Sequence, residues 1–544
     1  MYASVAHTPA PVNEPVKSYA PGSAERASLE KELARQAAQV VEIPCVIGGK
    51  HIYTGRIREM RMPTDHGHVL ARIHLGGPEE VEAAAHAAEA ARHDWAALPW
   101  EARASIFLRA ADQLTGPWRD RVNAATMLGQ AKTAHQAEID AACELIDFWR
   151  FNVSYYRGML QEQPPANSPG VWNRTDVRPL DGFVLAIAPF NFTSIALNLP
   201  TAPALVGNTV VWKPATTSAL SCWVLFQMLE SIGLPPGVIN LVSGDGPDVG
   251  PRLIARPELA GVHFTGSTGV FQGMWRDIGA NIANYRAYPR IVGETGGKDF
   301  IVAHPSADAR ALAVAIVRGG FEYQGQKCSA ASRVYVPRSL WPTVRAECAA
   351  MMAEMKQGDV RDFSNFVSAV IDERAYKKLG SWVDRLRGEV GQGTEIVSGG
   401  HHRGEVGWYI APTLARVDDP HHALMETELF GPVVGAYVYE DAAWADTLRL
   451  VDTTSPYALT GAIFANDRYA VEHAMRELRH AAGNVYINDK PTGAVVGQQP
   501  FGGSRASGTN DKAGAPGNLM RWVSPRSIKE TFTPPTDWRY PFLG

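Results

Sequence analysis

Short apolar runs alternate with longer, helix-like segments between residues 182 and 300. Each run has the length of a strand and is followed by a segment long enough for a helix. In chain order the pairs are 183–188 and 196–207, 209–212 and 218–232, 238–242 and 247–256, and 261–264 and 269–281. This alternation predicts βαβ units and a parallel sheet, as in nucleotide-binding domains.

A second series of strand-like runs follows, at 299–303, 332–336, 433–438, 461–464 and 484–487. Upstream of both series, Pro78 opens a helical pattern with acidic residues in its first turn, and a further helix is predicted at about 101–115. The chain has 544 residues, which is too long for one ordinary core. The pattern therefore predicts an α/β protein with at least two packed regions.

Three segments lie outside both series. Residues 168–181 and 516–544 are rich in Pro, Trp and Arg, and the stretch 521–529 has strand character without a neighbouring partner in sequence. It either pairs with another subunit or adds a strand to the chain's own sheet. Residues 1–25, rich in Ala, Pro and Ser, are predicted to be a flexible lead-in.

Charge and cysteine content narrow the function classes. The net charge of −4 and the lack of a long basic run argue against nucleic acid or an anionic membrane as the main partner. The five cysteines are widely spread and include no C-x-x-C pair, so neither a disulfide framework nor a metal site is predicted. With no secretory signal and no long apolar segment, the expected location is the bacterial cytoplasm, or the mitochondrial matrix if the source is eukaryotic.

The candidate chemistry centres on a thiol and a carboxylate. Cys328 lies among polar and small residues in the stretch 321–330, and Glu294 lies in a glycine-rich bend at 293–298. Covalent aldehyde oxidation needs such a pair, because the nucleophile must be deprotonated and a water must later be activated. Taken alone, Cys328 would more often be an inert packing residue, and Glu294 would more often be a solvated loop carboxylate.

Two further motifs follow strand-like runs. Asn191 lies in the segment 188–193 and Lys213 in the segment 210–214. Ligands of open α/β sheets bind outside the carboxyl ends of strands, so both side chains are predicted to lie near bound ligands. Asn191 offers an amide donor for a developing oxyanion, although an Asn after a strand also commonly caps the next helix.

Together with the motifs at 263–269, 426–432 and 499–504, these segments resemble the aldehyde dehydrogenase superfamily in order and spacing, from about residue 45 to the C-terminus. The segments 136–140, 145–152, 486–493, 496–503 and 506–512 resemble in particular the Δ1-pyrroline-5-carboxylate dehydrogenases, also called glutamate-γ-semialdehyde dehydrogenases. This resemblance implies a Rossmann-type parallel-sheet cofactor domain, an α/β catalytic domain and a small β oligomerisation arm. The implied division is a lead-in at 1–40, an NAD-binding domain at 41–167 and 182–293, a catalytic domain at 294–515, and the arm at 168–181 and 516–544.

The resemblance also assigns roles to individual residues. The implied catalytic residues are Cys328, Glu294 and Asn191. The implied NAD-binding residues are Ala188, Pro189, Phe190, Lys213, Gly266, Ser267, Thr268, Gly269, Val270, Glu428 and Phe430. The implied substrate-binding residues are Glu144, Phe190, Ser329, Gly493, Ala494 and Phe501.

Three positions depart from the family pattern or leave an alternative open. Thr295 stands where much of the superfamily has Leu, and Ala494 stands where some members have Ser. Thr216 stands where many NAD-preferring relatives have Glu, so NAD is implied by the subfamily and NADP use stays open. Phe190 and Phe501 are also readable as core packing.

The implied reaction is the NAD-dependent oxidation of L-glutamate-γ-semialdehyde to L-glutamate in proline breakdown, through a cysteine thiohemiacetal and thioester. The implied assembly is a homodimer or a higher homo-oligomer. The alternatives are an aldehyde dehydrogenase for another semialdehyde, acyl transfer to coenzyme A, a non-redox thiol hydrolase, and a catalytically idle homologue.

Overall fold

The computed structural model describes residues 6–544 and contains two seven-stranded sheets. In spatial order the strands of the first sheet are Arg290–Glu294, Leu259–Thr265, Phe183–Ile187, Thr209–Lys213, Ile239–Leu241, Cys45–Ile47 and Lys50–Ile52. The first five strands are parallel, and the last two add an antiparallel edge. The four predicted βαβ strands are confirmed.

Helices join the parallel strands of the first sheet. They are Thr193–Leu205, Ala219–Ser231, Gly246–Ile254 and Thr268–Ala280, as the alternation predicts. Alternate residues of Phe183–Ile187 contribute to two different buried clusters, so the sheet is covered on both faces. Strand order reverses between Phe183–Ile187 and its neighbour Leu259–Thr265, which creates the crevice where α/β sheets bind ligands.

The second sheet contains all five strands of the second predicted series. Its spatial order is Thr394–Ser398, Thr413–Val417, Val433–Tyr439, Ala331–Pro337, Asp299–Ala303, Thr460–Phe464 and Asn484–Ile487. Only the edge strand Thr394–Ser398 is antiparallel to its neighbour. The helices Ala309–Phe321, Trp341–Glu354, Glu373–Gly388, Trp444–Thr453 and Arg468–Glu477 accompany this sheet.

A helical layer precedes the first βαβ unit. It comprises Pro78–Ala97 and Trp100–Thr115, which confirm the two predicted helices, followed by Arg119–Gln130, Ala134–Ala137 and Leu145–Gln161. Between the last two lies a π-helix, Glu138–Glu144. Such i→i+5 segments are rare and often occur at functional sites.

The strand at the C-terminus pairs within its own chain but joins neither large sheet, which excludes the alternative that it adds a strand to one of them. Val523–Thr531 pairs antiparallel with Val171–Pro179 over nine residues, forming a two-stranded sheet of its own. The two predicted arm segments thus lie together although they are far apart in sequence. The fully buried Trp522 anchors their base, and its carbonyl accepts a hydrogen bond from Asn208 at 2.8 Å.

The expected flexible lead-in is corrected by the structure. Tyr19 is buried, and its hydroxyl donates to Glu138 at 2.8 Å. The helix Ala24–Ala37 follows, with Leu29 and Leu33 in the core. The buried carboxylate of Glu138 explains the order of this segment, because a buried charge requires hydrogen-bonding partners.

Across residues 6–544, no helix has both the length and the apolar character that a membrane crossing requires.

Candidate active site

Four predicted site segments meet at the carboxyl edge of the first sheet. Lys213 and Glu294 are the last residues of their strands. Residues 188–190 follow Phe183–Ile187, and residues 266–269 follow Leu259–Thr265, the two strands that flank the reversal of strand order. The topology therefore brings these segments to the expected ligand crevice.

Cys328 lies in a tight bend between the helix Ala309–Phe321 and the strand Ala331–Pro337. Tyr323 and Gln324 have left-handed backbones, with φ of 51° and 55°. Such conformations are uncommon for residues other than glycine and often accompany functional sites. The other four cysteines are buried, whereas Cys328 is partly exposed and lines a cavity of about 390 Å³. This geometry favours the nucleophile over the packing residue.

The environment of Cys328 opposes thiolate formation at rest. Burial raises the pKa of the thiol above its ordinary value, and the nearby carboxyl groups of Asp299, Glu294 and Glu428 raise it further. Attack by this sulfur therefore requires a proton acceptor.

Asn191 is buried, and its Nδ2 donates to the Gln326 carbonyl at 3.1 Å, two residues before Cys328. Its amide carries a second hydrogen, which remains available for a ligand oxygen. The helix-cap alternative is not supported, because the N-cap of Thr193–Leu205 is Phe192. Asp140 performs the capping instead and accepts from the N–H groups of Thr193 and Ser194 at 3.0 and 2.9 Å.

The Glu294 carboxylate accepts a hydrogen bond from the Gly503 N–H at 3.2 Å. Burial raises its pKa well above the ordinary value, with partial compensation from that hydrogen bond and from Lys512. Lys512 is held by the carbonyls of Gly483 and Gly502 at 2.8 and 2.7 Å. A carboxylate with a raised pKa is a stronger proton acceptor once it is ionised.

Four predicted cofactor residues have distinct environments. Burial lowers the pKa of Lys213 to about 8. Glu428 accepts from the Gly297 N–H at 2.8 Å, and burial raises its pKa. The rings of Phe190 and Phe430 meet edge to face, with centroids 5.8 Å apart.

The helix Thr268–Ala280 and the turn before it supply five further predicted cofactor residues, at 266–270. Its first N–H groups follow the turn at Gly266 and Ser267, and a side chain added at Gly269 would enter open space. A helix N-terminus of this kind binds anions through unpaired N–H groups and the helix dipole. An ammonium group, a helix N-terminus and a fixed carboxylate fit the hydroxyl groups and the pyrophosphate of a dinucleotide.

The cavity at Cys328 contains most of the predicted substrate residues. Glu144, Ser329, Gly493, Ala494 and Phe501 all line it.

Phe190 does not line this cavity; Phe192 does. The ring of Phe190 lies against Phe430, two residues after Glu428, whereas the ring of Phe192 lies under the Lys132 ammonium at 4.2 Å. Phe192 is therefore a further candidate for contact with the substrate, and the assignment of Phe190 stays a prediction.

Glu144 is the last residue of the π-helix. The Ser194 hydroxyl lies 2.6 Å from its carboxyl group. Burial and the neighbouring Asp140 raise the pKa of Glu144 to about 8. A buried carboxyl group of this kind is suited to receiving a cationic ligand.

Sequence reasoning missed further cavity residues, notably Lys327, Lys490 and Thr492. The Thr492 hydroxyl lies 2.8 Å from that of Ser329, which ties the two cavity walls together. All three residues lie inside the motifs at 321–330 and 486–493, so their proximity to assigned residues was the available signal.

The profile of the aldehyde dehydrogenase family matches residues 54–528. The chain therefore belongs to the aldehyde dehydrogenase family. A mitochondrial delta-1-pyrroline-5-carboxylate dehydrogenase of Dictyostelium discoideum is 50% identical over 540 residues, covering 99% of this chain and 96% of the relative. The mitochondrial delta-1-pyrroline-5-carboxylate dehydrogenase of Mus musculus is 46% identical over 532 residues, covering 98% and 94%.

Solved structures of pyrroline-5-carboxylate dehydrogenases are also similar to this chain. The crystal structure of the delta-pyrroline-5-carboxylate dehydrogenase from Mycobacterium tuberculosis bound with NAD has a TM-score of 0.96 to this chain, with 52% identity and full coverage of both chains. The 1-pyrroline-5-carboxylate dehydrogenase from Thermus with bound NAD has a TM-score of 0.89 and 30% identity, covering 96% of this chain and 99% of that one. These matches confirm the predicted fold class and the superfamily resemblance.

Proposed function

We propose that this chain is an NAD-dependent L-glutamate-γ-semialdehyde dehydrogenase, which oxidises the hydrated, open form of Δ1-pyrroline-5-carboxylate to L-glutamate in proline breakdown. One observation carries this proposal. The cavity at Cys328 contains both a partly exposed thiol and polar groups, such as Glu144 and Ser329, that can bind the amino and carboxylate groups of an amino acid. The similarity to delta-1-pyrroline-5-carboxylate dehydrogenases along nearly the whole chain supports the same activity.

The first chemical step is attack of the Cys328 sulfur on the aldehyde carbon. The thiol gives up its proton to solvent water in the cavity that the partly exposed Cys328 lines, the carbon–sulfur bond forms, and the aldehyde oxygen gains negative charge. The free hydrogen of the Asn191 amide and the Cys328 N–H are the donors that stabilise this oxygen. Losing one such donor typically costs about 3 kcal/mol of transition-state stabilisation.

Glu294 serves the hydrolytic step. Its carboxylate accepts a proton from water, the resulting hydroxide adds to the thioester carbon, and the Cys328 sulfur leaves. The Gly503 N–H orients the carboxylate at 3.2 Å, and burial gives it the raised pKa of an effective base.

NAD, when bound, supplies the acceptor for the hydride that leaves the substrate carbon. Lys213 would hold hydroxyl groups of one ribose and Glu428 those of the other, and the N-terminus of Thr268–Ala280 would receive the pyrophosphate. The side chains of residues 188–190 and Phe430 complete the proposed cofactor site.

The amino-acid end of the substrate is assigned to the far part of the cavity. Ser329 and the backbone of Gly493 and Ala494 would bind the α-carboxylate, and Glu144 would bind the α-amino group. Phe192 and Phe501 would contact the methylene groups. The donors come from two separate chain segments, so recognition depends on the spacing between them.

The proposal also covers the domain boundaries, the oligomeric state and the cellular location. We place the lead-in at 1–40, the NAD-binding domain at 41–167 and 182–293, the catalytic domain at 294–515 and the arm at 168–181 and 516–544. The two-stranded arm sheet supports a homodimer or higher homo-oligomer, because an isolated two-stranded ribbon is marginally stable and leaves pairing edges open. We propose the cytoplasm for a bacterial source and the mitochondrial matrix for a eukaryotic one.

A comparison of aldehydes tests the substrate assignment. Glutamate-γ-semialdehyde should exceed pentanal in kcat/KM by roughly 10⁴-fold, because pentanal leaves buried donors unpaired. Equal values for the two aldehydes contradict the substrate assignment but leave the family unaffected. The same NADH assay with and without coenzyme A separates hydrolysis from acyl transfer, and a non-redox thiol hydrolase would form no NADH.

A further inference from the structure

Part of the N-terminal segment belongs to the wall of the substrate cavity. Asn13, Glu14 and Val16 line the same cavity as Cys328. No step of the proposed reaction uses these residues, so their presence calls for a separate explanation.

The Asn13 side chain makes three hydrogen bonds to two different structural elements. Its Nδ2 donates to Asp147 Oδ2 at 2.8 Å and to the Val496 carbonyl at 2.8 Å. Its Oδ1 accepts from Gln498 Nε2 at 2.9 Å. Since an amide nitrogen carries two hydrogens, both of its donors are committed to bridging these elements.

The two bridged elements carry the proposed substrate contacts. Asp147 lies on the helix Leu145–Gln161, three residues after Glu144 and so on the same side of the helical segment. Val496 lies in an irregular segment, two residues after Ala494. Asn13 therefore joins the wall assigned to the α-amino group to the loop assigned to the α-carboxylate.

The N-terminal segment is itself firmly anchored to the helical wall. The Glu14 N–H donates to Asp147 Oδ1 at 2.7 Å. The Glu14 carboxylate pairs with Arg119 at 2.6 Å and with Arg150 at 2.9 Å. Asp147 is 3% exposed, so its carboxylate depends on these donors for partners.

The loop between Ile487 and Ser504 is anchored near its end, where the Phe501 backbone pairs with that of Ala513 and the Gly503 N–H donates to Glu294. It contains no helix or strand. Its inner end is tied to Ser329 by the hydroxyl of Thr492, and Asn13 ties its outer part through Val496 and Gln498. Binding groups on such a loop need support, because a misplacement of about 1 Å can cost 10²-fold in rate.

We infer that Asn13 is a positioning residue that sets the distance between the two substrate-binding walls and so determines selectivity for an α-amino-acid aldehyde. This inference rests on the proposed function. It assigns a specificity role to a residue remote from Cys328 in sequence and outside the reacting groups.

Asn13→Ala tests this role through a comparison of substrates. Loss of two donated hydrogen bonds should raise KM for glutamate-γ-semialdehyde about tenfold, with kcat/KM for pentanal within about twofold of the unchanged protein. Asn13→Asp keeps the size but removes both donors and places a carboxylate beside Asp147, so its effect should be at least as large. Asn466→Ala, at an exposed site, serves as the matched control.

Two results overturn the inference. One is a semialdehyde KM within about twofold of the unchanged protein in both Asn13 variants. The other is an equal loss of kcat/KM for semialdehyde and pentanal, which indicates general damage, and a thermal melting curve identifies that case. Failure of the proposed function is distinguishable, because the unchanged protein would then show no preference for the semialdehyde.

Discussion

Replacing Glu294 by glutamine separates the two halves of the proposed reaction. The amide has nearly the same size as the carboxylate, and its oxygen can still accept the Gly503 N–H, which lies 3.2 Å from the carboxylate. An amide cannot accept a proton from water. The substitution therefore removes the base and leaves the Cys328 thiol and the Asn191 donor in place.

The size of the effect follows from the environment of the carboxyl group. General base catalysis typically contributes about 10²- to 10⁴-fold, and the raised pKa of Glu294 puts this base in the effective part of the range. Thioester hydrolysis should slow by that factor, so hydrolysis becomes the slowest step. NADH formed in the first turnover should appear at a much less affected rate.

Rapid mixing with NADH absorbance provides the assay. Glu294→Gln should give a burst of one NADH per active site followed by a slow steady phase. Gly502→Ala offers a second perturbation of the same group, since its new Cβ would lie 2.8 Å from Glu294 Oε1 and displace the carboxylate. Steady turnover at the wild-type rate in Glu294→Gln would refute the assignment of the base.

Three other changes have defined outcomes. Cys328→Ala should reduce the rate of NADH formation below about a hundredth of the wild-type rate, because the thiol forms the covalent bond to the substrate. Calorimetry should show near-normal NAD binding, and a greater residual rate of turnover contradicts the role of Cys328. Removing 524–544, which spares the buried Trp522, should lower the mass measured by light scattering, and an unchanged mass contradicts an assembly role for the arm. The raised pKa of Glu144 makes the folded protein bind this proton more tightly than the unfolded chain does, so thermal stability should fall as pH rises from 4.5 to about 8. Glu144→Gln should make this fall smaller. An identical pH profile for both proteins contradicts the raised pKa.

The predicted parts of the fold are those with a local signature. The βαβ alternation from 183 to 281 can be predicted from the sequence, because each buried strand is a short apolar run between helix-length segments. The helix Arg119–Gln130 gives no such signal, because polar residues such as Asn123 and Gln130 are buried along with its apolar ones, so polarity does not mark an exposed face. The pairing of Val171–Pro179 with Val523–Thr531 is invisible in sequence, since about 350 residues separate the strands.

The same limit applies to the site. Cys328 and Asn191 could be predicted from the sequence, because both lie in motifs directly beside strand-like runs. Asn13 was not, because its partners Asp147 and Val496 are 134 and 483 residues away. Its segment has the composition of a linker, so only the long-range contacts reveal its place in the cavity wall.

Ser194 explains how two adjacent carboxyl groups of the π-helix acquire different roles. Its hydroxyl lies 2.7 Å from Asp140 Oδ1 and 2.6 Å from Glu144 Oε2, yet a hydroxyl carries only one hydrogen. Both contacts are hydrogen bonds only if one carboxyl group is protonated and donates to the serine oxygen.

The Lys132 ammonium lies 2.6 Å from Asp140, and two helix N–H groups also donate to that carboxyl group. Burial raises the pKa of Glu144 to about 8, so Glu144 is the group that holds the proton at neutral pH. A substrate ammonium that reached Glu144 would favour its ionised form by placing a further positive charge beside it. In the proposed substrate assignment, selectivity for an α-amino aldehyde would thus arise from a neutral carboxyl group that the substrate ammonium ionises.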